Sequence, residues 1–270
     1  MDEIVGTAAK VAEEQFFNQH VVPLIAEKGA EGSEEAEVFG SGTLIRIGPK
    51  RLIVTAGHVI SAMDRATRMG MLLGFPQERT GIRNNTSDII SLDGLLHGVL
   101  DEELDVGFFD LSDKVIEQID ERRFLDLNSI STRAPRVDDR YVVFGFPSQR
   151  GQYKAGILRY KKAFIHEDGP YAGPEPVLGV TAVKPIPELH IRVAWNGSEA
   201  LEGISGASIW VRERAVGNFW DPSREFKIVA VETDTLTGHW IRGTQWRVVA
   251  RAIVQQFPDL KEEFTRYLKS

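Results

Sequence analysis

Apolar residues recur at helical spacing at the two ends of the chain and in short extended runs between them. The N-terminal apolar positions fall three and four residues apart, which predicts a helix over residues 2–26 that Pro23 breaks or kinks near its end. The residues on this face are Ile4, Ala8, Val11, Ala12 and Phe16. Near the C-terminus, Val249, Ile253 and Phe257 are four apart, and a second periodic run follows Pro258. The end of the chain is therefore predicted to form helices that dock on a core.

Between these helices the hydrophobic pattern is that of short strands separated by turn residues. The predicted strands cover residues 42–47, 51–55, 106–109, 140–144, 189–193, 207–211 and 227–231. Many short strands with few helices between them favour an all-β barrel or sandwich. A polar break at residues 126–137 divides the strands into two sets, and we interpret it as the connection between two barrels. Residues 27–37, rich in glutamate and glycine, are predicted to be a solvated linker.

Composition and charge exclude several classes of protein. Hydrophobic residues make up 42% of the 270 residues and charged residues 26%, which is enough apolar material for a sizeable core. The net charge of −7 disfavours a nucleic-acid partner held by a broad basic field. The absence of cysteine excludes disulfides, a thiol nucleophile and a cysteine zinc site. Because no secretory signal or apolar run of membrane-spanning length occurs, we expect a cytoplasmic protein without a membrane partner.

Three short motifs carry residues suited to nucleophilic catalysis. Thr55-Ala56-Gly57-His58-Val59 follows an apolar strand, Leu104-Asp105-Val106-Gly107 begins one, and Gly203-Ile204-Ser205-Gly206-Ala207 precedes one. A serine hydroxyl needs a base to take its proton, an imidazole can act as that base, and a carboxylate can orient the imidazole. His58, Asp105 and Ser205 fit these catalytic roles. The backbone N–H groups of Gly203 and Ser205 fit an oxyanion hole, because glycine allows them to turn toward a developing anion.

The order and spacing of these motifs resemble those of the trypsin-like (chymotrypsin-fold) serine proteases. Asp105 follows His58 by 47 residues and Ser205 follows Asp105 by 100. The resemblance covers residues 38–257 and includes Gly40–Ile45, similar to the opening strand of the first barrel, and Phe144–Pro147, similar to a turn early in the second. It implies two antiparallel six-stranded β-barrels with the triad in the cleft between them. It also implies a polypeptide substrate, with no cofactor and no metal.

Departures from the family pattern indicate which members of the family the chain is most similar to. Secreted members activated by proteolysis carry aspartate before the serine, where it pairs with a newly cut N-terminus. Ile204 stands there in this chain, so activation by N-terminal clipping is not expected. The chain is more similar to bacterial members that lack cysteine, and no PDZ-like segment follows the predicted barrels. We accordingly expect an N-terminal helix and acidic linker over 1–37, a protease domain over 38–258 with barrels at about 38–125 and 138–246, and a C-terminal helical extension over 259–270.

The resemblance also suggests which residues contact the substrate. The segments that form the specificity pocket in the family correspond here to Asn196–Glu202 and Val231–Asp234, with Gly243 as a far wall. Glu199 lies six residues before Ser205, at the base of that pocket, and an acidic base would favour Lys or Arg at P1. The substrate-binding candidates are thus Glu199, Glu232, Thr233, Asp234 and Gly243. The simpler alternative is that Glu199, Glu202 and Glu232 are solvated loop charges.

Two functions are compatible with these observations. The first is a serine endopeptidase that works through an acyl-enzyme. The second is a regulatory or binding module on a protease fold, latent until a partner binds, with the N-terminal helix as a docking site for a regulatory protein. An α/β-hydrolase is excluded, because its nucleophile motif is Gly-x-Ser-x-Gly and its histidine comes last. The five other histidines show no metal-ligand spacing.

Overall fold

The computed structural model describes residues 2–27, 36–66, 68–72, 89–131, 133–154, 157–160, 163–173, 186, 188–199, 201–213 and 220–269. The helices are α1 (Asp2–His20), α2 (Gly57–Met63), α3 (Asp113–Ile116), α4 (Pro222–Glu225), α5 (Trp246–Gln256) and α6 (Lys261–Lys269). The strands are β1 (Val21–Glu27), β2 (Ala36–Ile47), β3 (Lys50–Ala56), β4 (Arg68–Leu72), β5 (Ile89–Ser91), β6 (Leu96–Asp101), β7 (Val106–Asp110), β8 (Tyr141–Gly145), β9 (Gly151–Lys154), β10 (Ile157–Tyr160), β11 (Phe164–Asp168), β12 (His190–Ala194), β13 (Ser208–Arg212), β14 (Phe226–Leu236) and β15 (Trp240–Gln245). Most of the predicted acidic linker, residues 28–35, lies outside the described residues.

Two curled antiparallel sheets form the body of the molecule. In the described part of the chain the first sheet has seven strands in the order β5-β4-β1-β2-β3-β7-β6, and the second has six in the order β11-β8-β13-β14-β15-β12. Strands β9 and β10 form a separate hairpin. Register shifts interrupt the pairing in both sheets, at Val99/Asp101 and Glu232/Asp234 among other points, and such bulges increase the local twist of a strand. The prediction of an all-β, two-barrel architecture is confirmed, and each of the seven predicted strands is present.

The N-terminal helix is shorter than its sequence pattern predicts. It ends at His20, and Val21–Glu27 forms β1, which lies between β2 and β4. The prediction of helix as far as residue 26 was wrong because Val21–Ala26 is apolar throughout, and a strand covered on both faces shows no period-two alternation. Proline has no N–H to donate to a neighbouring strand. Pro23 is tolerated in β1 because β4 pairs with β1 only from Leu24 onward, so no hydrogen bond to β4 is required from residue 23. Through β1, part of the segment before residue 38 joins the first sheet.

A shared hydrophobic core joins the two sheets. It takes Val54 and Val106 from the first sheet, Phe144 and Trp210 from the second, and a row of residues from α5. Helix α1 belongs to this core, because Phe17 is fully buried with its ring about 5 Å from those of Phe144, Trp210 and Phe226. The predicted C-terminal helices are confirmed as α5 and α6. Each sheet also encloses a hydrophobic core of its own.

Candidate active site

The pairing of β3 with β7 places His58 beside Asp105. Ala56 at the end of β3 is paired with Val106 at the start of β7, so the residues beyond these ends are neighbours. The His58 ring Nδ1 lies 2.8 Å from Asp105 Oδ2, and the His58 backbone N–H donates to Oδ1, also at 2.8 Å. A carboxylate only accepts hydrogen bonds, so Nδ1 carries the proton and Nε2 is left as the basic nitrogen. The predicted contact between these two residues is therefore present.

Asp105 has an unusual backbone conformation. Its φ is +52°, the only positive φ at a non-glycine residue in the described ranges. Asp and Asn accept this conformation more readily than other L-residues. The Asp105 carbonyl accepts the N–H of Gly57 at 3.0 Å. Together with the two contacts to His58, this bond fixes the start of α2 against the start of β7.

The Ser205 turn belongs to the second sheet but rests on the first. It leads into β13, and the Ser205 carbonyl accepts the Ser41 N–H at 2.7 Å from β2. Gly206 has a φ of +86°, and a Cβ on it would lie 2.1 Å from both the Ser41 carbonyl oxygen and Thr55 Oγ1, and 2.9 Å from the Ala56 nitrogen. Only glycine permits this approach. The turn that carries Ser205 thus contacts the end of β3, two residues before His58.

Two N–H groups of this turn are left without an acceptor. Ile204 N–H donates to Leu201 O, Gly206 N–H to Glu232 O and Ala207 N–H to Ile204 O, at 3.1, 2.8 and 2.7 Å. The N–H groups of Gly203 and Ser205 donate to no group in the described residues. Both residues are half-buried, and Gly203 has a φ of +90°. Two such donors, two residues apart on a glycine turn, can together stabilise an oxyanion.

Glu232 lies behind the Ser205 turn as a fully buried acid. Its N–H donates to Ala207 O at 2.7 Å, and its side chain has no exposed surface. Burial, together with the negative charges of Asp234 and Asp105, raises the pKa of this carboxyl well above its ordinary value, against the opposing effect of Arg242. The raised pKa favours the neutral form. Such a group does not supply the negative charge that a basic substrate side chain needs, nor is it a solvated loop charge.

The other substrate-binding candidates lie in different environments. Asp234 follows Glu232 on β14 and pairs with the buried Arg242, whose Nη2 is 3.2 Å from Asp234 Oδ2. Thr233 is buried between these acids, and Gly243 pairs with Glu232 from β15. Glu199 is exposed in the loop after β12. The structure therefore gathers four of the five candidates at β14 and β15, beside the turn, and the preference for Lys or Arg at P1 stays a prediction carried by Glu199.

Sequence reasoning missed two serines that contact the turn. Ser41 Oγ donates to Gly203 O at 3.1 Å and accepts the Phe146 N–H at 2.9 Å. The Ser148 N–H donates to Glu202 O at 2.7 Å, and Ser148 Oγ lies 3.2 Å from the same oxygen. The available signal for Ser41 was its place between Gly40 and Gly42, because glycines within a strand often mark the close approach of another segment.

The described residues contain neither a metal-binding cluster nor a membrane-spanning helix. No group of three His, Asp or Glu side chains converges closely enough there to hold a metal ion. None of the helices in the same ranges has the length and apolar character needed to span a bilayer.

Comparison with known proteins finds similar chains among solved structures. No protein-family model matches the chain, and no curated protein sequence matches it. Among solved structures, the chain is similar to the MamO protease domain from Magnetospirillum magneticum in its apo form. The two share 12% identity with a TM-score of 0.49, over 87% of this chain and 96% of that one. From its two curled antiparallel sheets and few helices, the chain has an all-β, chymotrypsin-like two-barrel fold.

Proposed function

We propose that the protein is a serine endopeptidase of the trypsin-like type. The observation that carries this proposal is that His58 and Asp105 share two hydrogen bonds at the end of β3. The Ser205 turn contacts the same end of that strand. The two unpaired N–H groups of that turn support it. A structural histidine would need neither a second hydrogen bond to the same carboxylate nor a neighbouring turn with free donors.

The reaction follows from these roles. His58 Nε2 takes the Ser205 hydroxyl proton as Oγ attacks the substrate carbonyl carbon, and the oxygen that becomes negative accepts from Gly203 and Ser205 N–H. Asp105 stabilises the imidazolium that forms. The imidazolium then protonates the leaving amine, and the peptide bond breaks to give an acyl-enzyme. Water attacks the ester with His58 again as the base, which releases the acid and restores Ser205.

Labelling with a fluorophosphonate probe tests the proposal, because the probe phosphonylates a serine only where its hydroxyl is activated. We expect wild type to be labelled and Ser205→Ala to give no signal. His58→Ala is expected to lose labelling by several orders of magnitude. Asp105→Asn keeps a residue that tolerates a positive φ and removes the charge, so a loss of about 10³- to 10⁴-fold is expected from the wrong histidine tautomer.

The structure offers a matched control for the histidine variant. His97 Nε2 lies 2.6 Å from Asp64 Oδ1, so it is also a histidine paired with a carboxylate, but on β6. His97→Ala should keep labelling close to that of wild type. Equal losses in His97→Ala and His58→Ala would contradict the proposal. Absence of labelling in folded wild type would also contradict it, and would favour the latent binding module.

A further inference from the structure

The direction of an oxyanion donor is set by whatever holds the carbonyl of the same peptide unit. In a trans peptide the C=O and the following N–H point in opposite directions. The Gly203 N–H is therefore aimed by the partner of Glu202 O, and the Ser205 N–H by the partner of Ile204 O. Ile204 O accepts Ala207 N–H, a bond within the turn, whereas Glu202 O accepts from Ser148, which lies outside it.

All four carbonyls from residue 202 to residue 205 have a donor. Apart from the internal bond to Ile204 O, these donors come from two serines in other segments. Ser148, in the short turn after β8, holds Glu202 O, and Ser41 holds both Gly203 O through its hydroxyl and Ser205 O through its N–H. The carbonyls are thereby turned away from the position that the free N–H groups face.

Ser41 is suited to this role because its own hydrogen bonds are complete and inaccessible to water. The residue has no exposed surface. Its hydroxyl donates to Gly203 O and accepts from Phe146 N–H, and its carbonyl accepts the Thr55 hydroxyl at 2.7 Å. A buried group satisfied in this way has one stable arrangement, since breaking any bond leaves a buried polar atom unpaired.

The residue at the centre of the turn, Ile204, is apolar. Ile204 is 1% exposed and packs in the core of the second sheet with Ala207 and Ile209. It anchors the turn by apolar contact, which does not fix the rotation of the adjoining peptide units. Hydrogen bonds fix that rotation, within the turn through Leu201 O and Ala207 N–H and from outside it through Ser41 and Ser148.

We propose that Ser41 and Ser148 are positioning residues that clamp the Ser205 turn with both oxyanion donors unpaired, so that the site is formed without cleavage of the chain. This inference rests on the proposed hydrolase function. It predicts that removing the Ser41 hydroxyl leaves the Gly203–Ile204 peptide unit, which lies between the two donor units, held only by the bond from Ile204 N–H to Leu201 O. The turn then holds its donors less firmly, and reaction with any reagent that becomes anionic at Ser205 is weakened.

The test compares Ser41→Ala with Thr43→Val. Thr43 lies two residues further along β2, is also buried, and its hydroxyl pairs with the Ser208 hydroxyl and not with a turn carbonyl. Both variants delete a buried hydroxyl from the same strand. We expect the fluorophosphonate labelling rate to fall at least about 10-fold in Ser41→Ala, a smaller effect than direct removal of an oxyanion donor. Thr43→Val should label within about twofold of wild type, after both are shown to be folded by thermal unfolding.

The second arm examines Ser148 in the same assay. Ser148→Ala keeps the N–H that makes the shorter bond, so labelling should change little. Ser148→Pro removes that N–H and should reduce labelling at least as much as Ser41→Ala. Equal labelling of the alanine and proline variants would overturn the part assigned to Ser148.

An amide NMR spectrum separates failure of the clamp from failure of the proposed function. In Ser41→Ala the Gly203 and Ile204 amide resonances should broaden or double, and in Thr43→Val they should not. Unchanged Gly203 and Ile204 resonances in Ser41→Ala would overturn the clamp, whether or not wild type is labelled. Altered resonances in a protein that the probe never labels would keep the clamp and reject the hydrolase.

Discussion

At the scale of the residue, the chemistry of the site depends on how each ionisable group is surrounded. Asp105 accepts two hydrogen bonds from His58 and remains partly exposed, with 28% of its side-chain surface accessible. Glu232, by contrast, is fully buried. The site thus contains two carboxyl groups in different surroundings, and only for Glu232 does burial raise the pKa and favour the neutral form. This difference between Asp105 and Glu232 is not visible in the sequence, where both are simply carboxylic acids.

The raised pKa of Glu232 predicts a pH dependence of stability. Between the ordinary value of 4.5 and the higher pKa in the folded state, the folded protein binds a proton that the unfolded chain has released. The stability that this proton confers is complete below the ordinary pKa and is lost as pH rises through that window, at about 1.4 kcal/mol per pH unit. Glu232→Gln should remove this slope in urea unfolding measured between about pH 5 and pH 9.

An exposed glutamate beside the same turn provides the reference for this measurement. Glu202→Gln removes a carboxyl that is exposed, and its unfolding free energy should follow the wild-type pH dependence. If Glu232→Gln and wild type lose stability at the same rate with pH, Glu232 is ionised in the folded protein and our description of it is wrong.

At the scale of the element, β1 decides whether the N-terminal segment is an attachment or part of the fold. The strand is hydrogen-bonded to β2 over its whole length and to β4 from Leu24 to Glu27. Helix α1 immediately precedes β1. It contacts the second sheet through the packing of Phe17 on Trp210 and through an ion pair between Glu13 and Arg212. The segment therefore connects the two sheets. The face of α1 that carries Phe17 packs into the core, so this face is not available for docking a partner.

Deletion of residues 1–30 is expected to give an insoluble protein. The deletion removes β1 and exposes the edges of β2 and β4, which are then free to pair with other chains. The measurement is soluble yield and the circular dichroism of any soluble fraction. Deletion of residues 1–6 serves as the control, because it keeps Phe17 and β1. A soluble 1–30 deletion with faster probe labelling would show that the segment is autoinhibitory.

At the scale of the whole molecule, the candidate site exists only where the two sheets meet. His58, in α2, and Asp105, just before β7, adjoin strands of the first sheet, and Ser205 lies in the turn before β13 of the second. The sheets are joined there by Ser41 N–H to Ser205 O and by the Thr244 hydroxyl, which donates to Leu104 O at 2.6 Å. Leu104 directly precedes Asp105, so this contact fixes the second sheet against the acid of the pair.

Substitution of Gly206 tests how closely the sheets must approach. An added Cβ would lie 2.1 Å from Ser41 O, so Gly206→Ala must push the turn away from β2 and β3. We expect a loss of probe labelling of about 100-fold or more, because small displacements of reacting groups are costly. The variant should also be less stable by more than the ~1–2 kcal/mol that a left-handed alanine costs.

The matched control is Gly94→Ala. It separates the cost of a left-handed backbone at alanine from the effect of a steric clash between the new Cβ and the first sheet. Gly94 has a φ of +75°, but an added Cβ there would meet nothing within 4 Å. It should lose only the stability due to its conformation and keep its labelling rate. Equal labelling of the two variants would show that close contact between the turn and the first sheet is not required.

The sequence by itself determined the fold class, most of the central strands, the terminal helices and the residues proposed for catalysis. These follow from local patterns, since strand periodicity and short motifs are contained within a few consecutive residues. The His58–Asp105 contact was also predictable, because both residues directly flank strands that the pattern identifies. The extent of α1 was not, because an apolar run such as Val21–Ala26 is compatible with either a helix or a buried strand until its neighbours are known.

Only the tertiary structure decided the protonation of Glu232 and the roles of Ser41 and Ser148. Each depends on groups far apart in the chain, as in the bond between Ser41 and Gly203, which are 162 residues apart. Burial and hydrogen bonding are properties of the assembled site, and a carboxyl or hydroxyl looks the same in the sequence whether water or protein surrounds it. The sequence therefore supplied the reactive groups, and the packing of the two sheets determined the burial of Glu232 and the hydrogen bonds that hold the Ser205 turn.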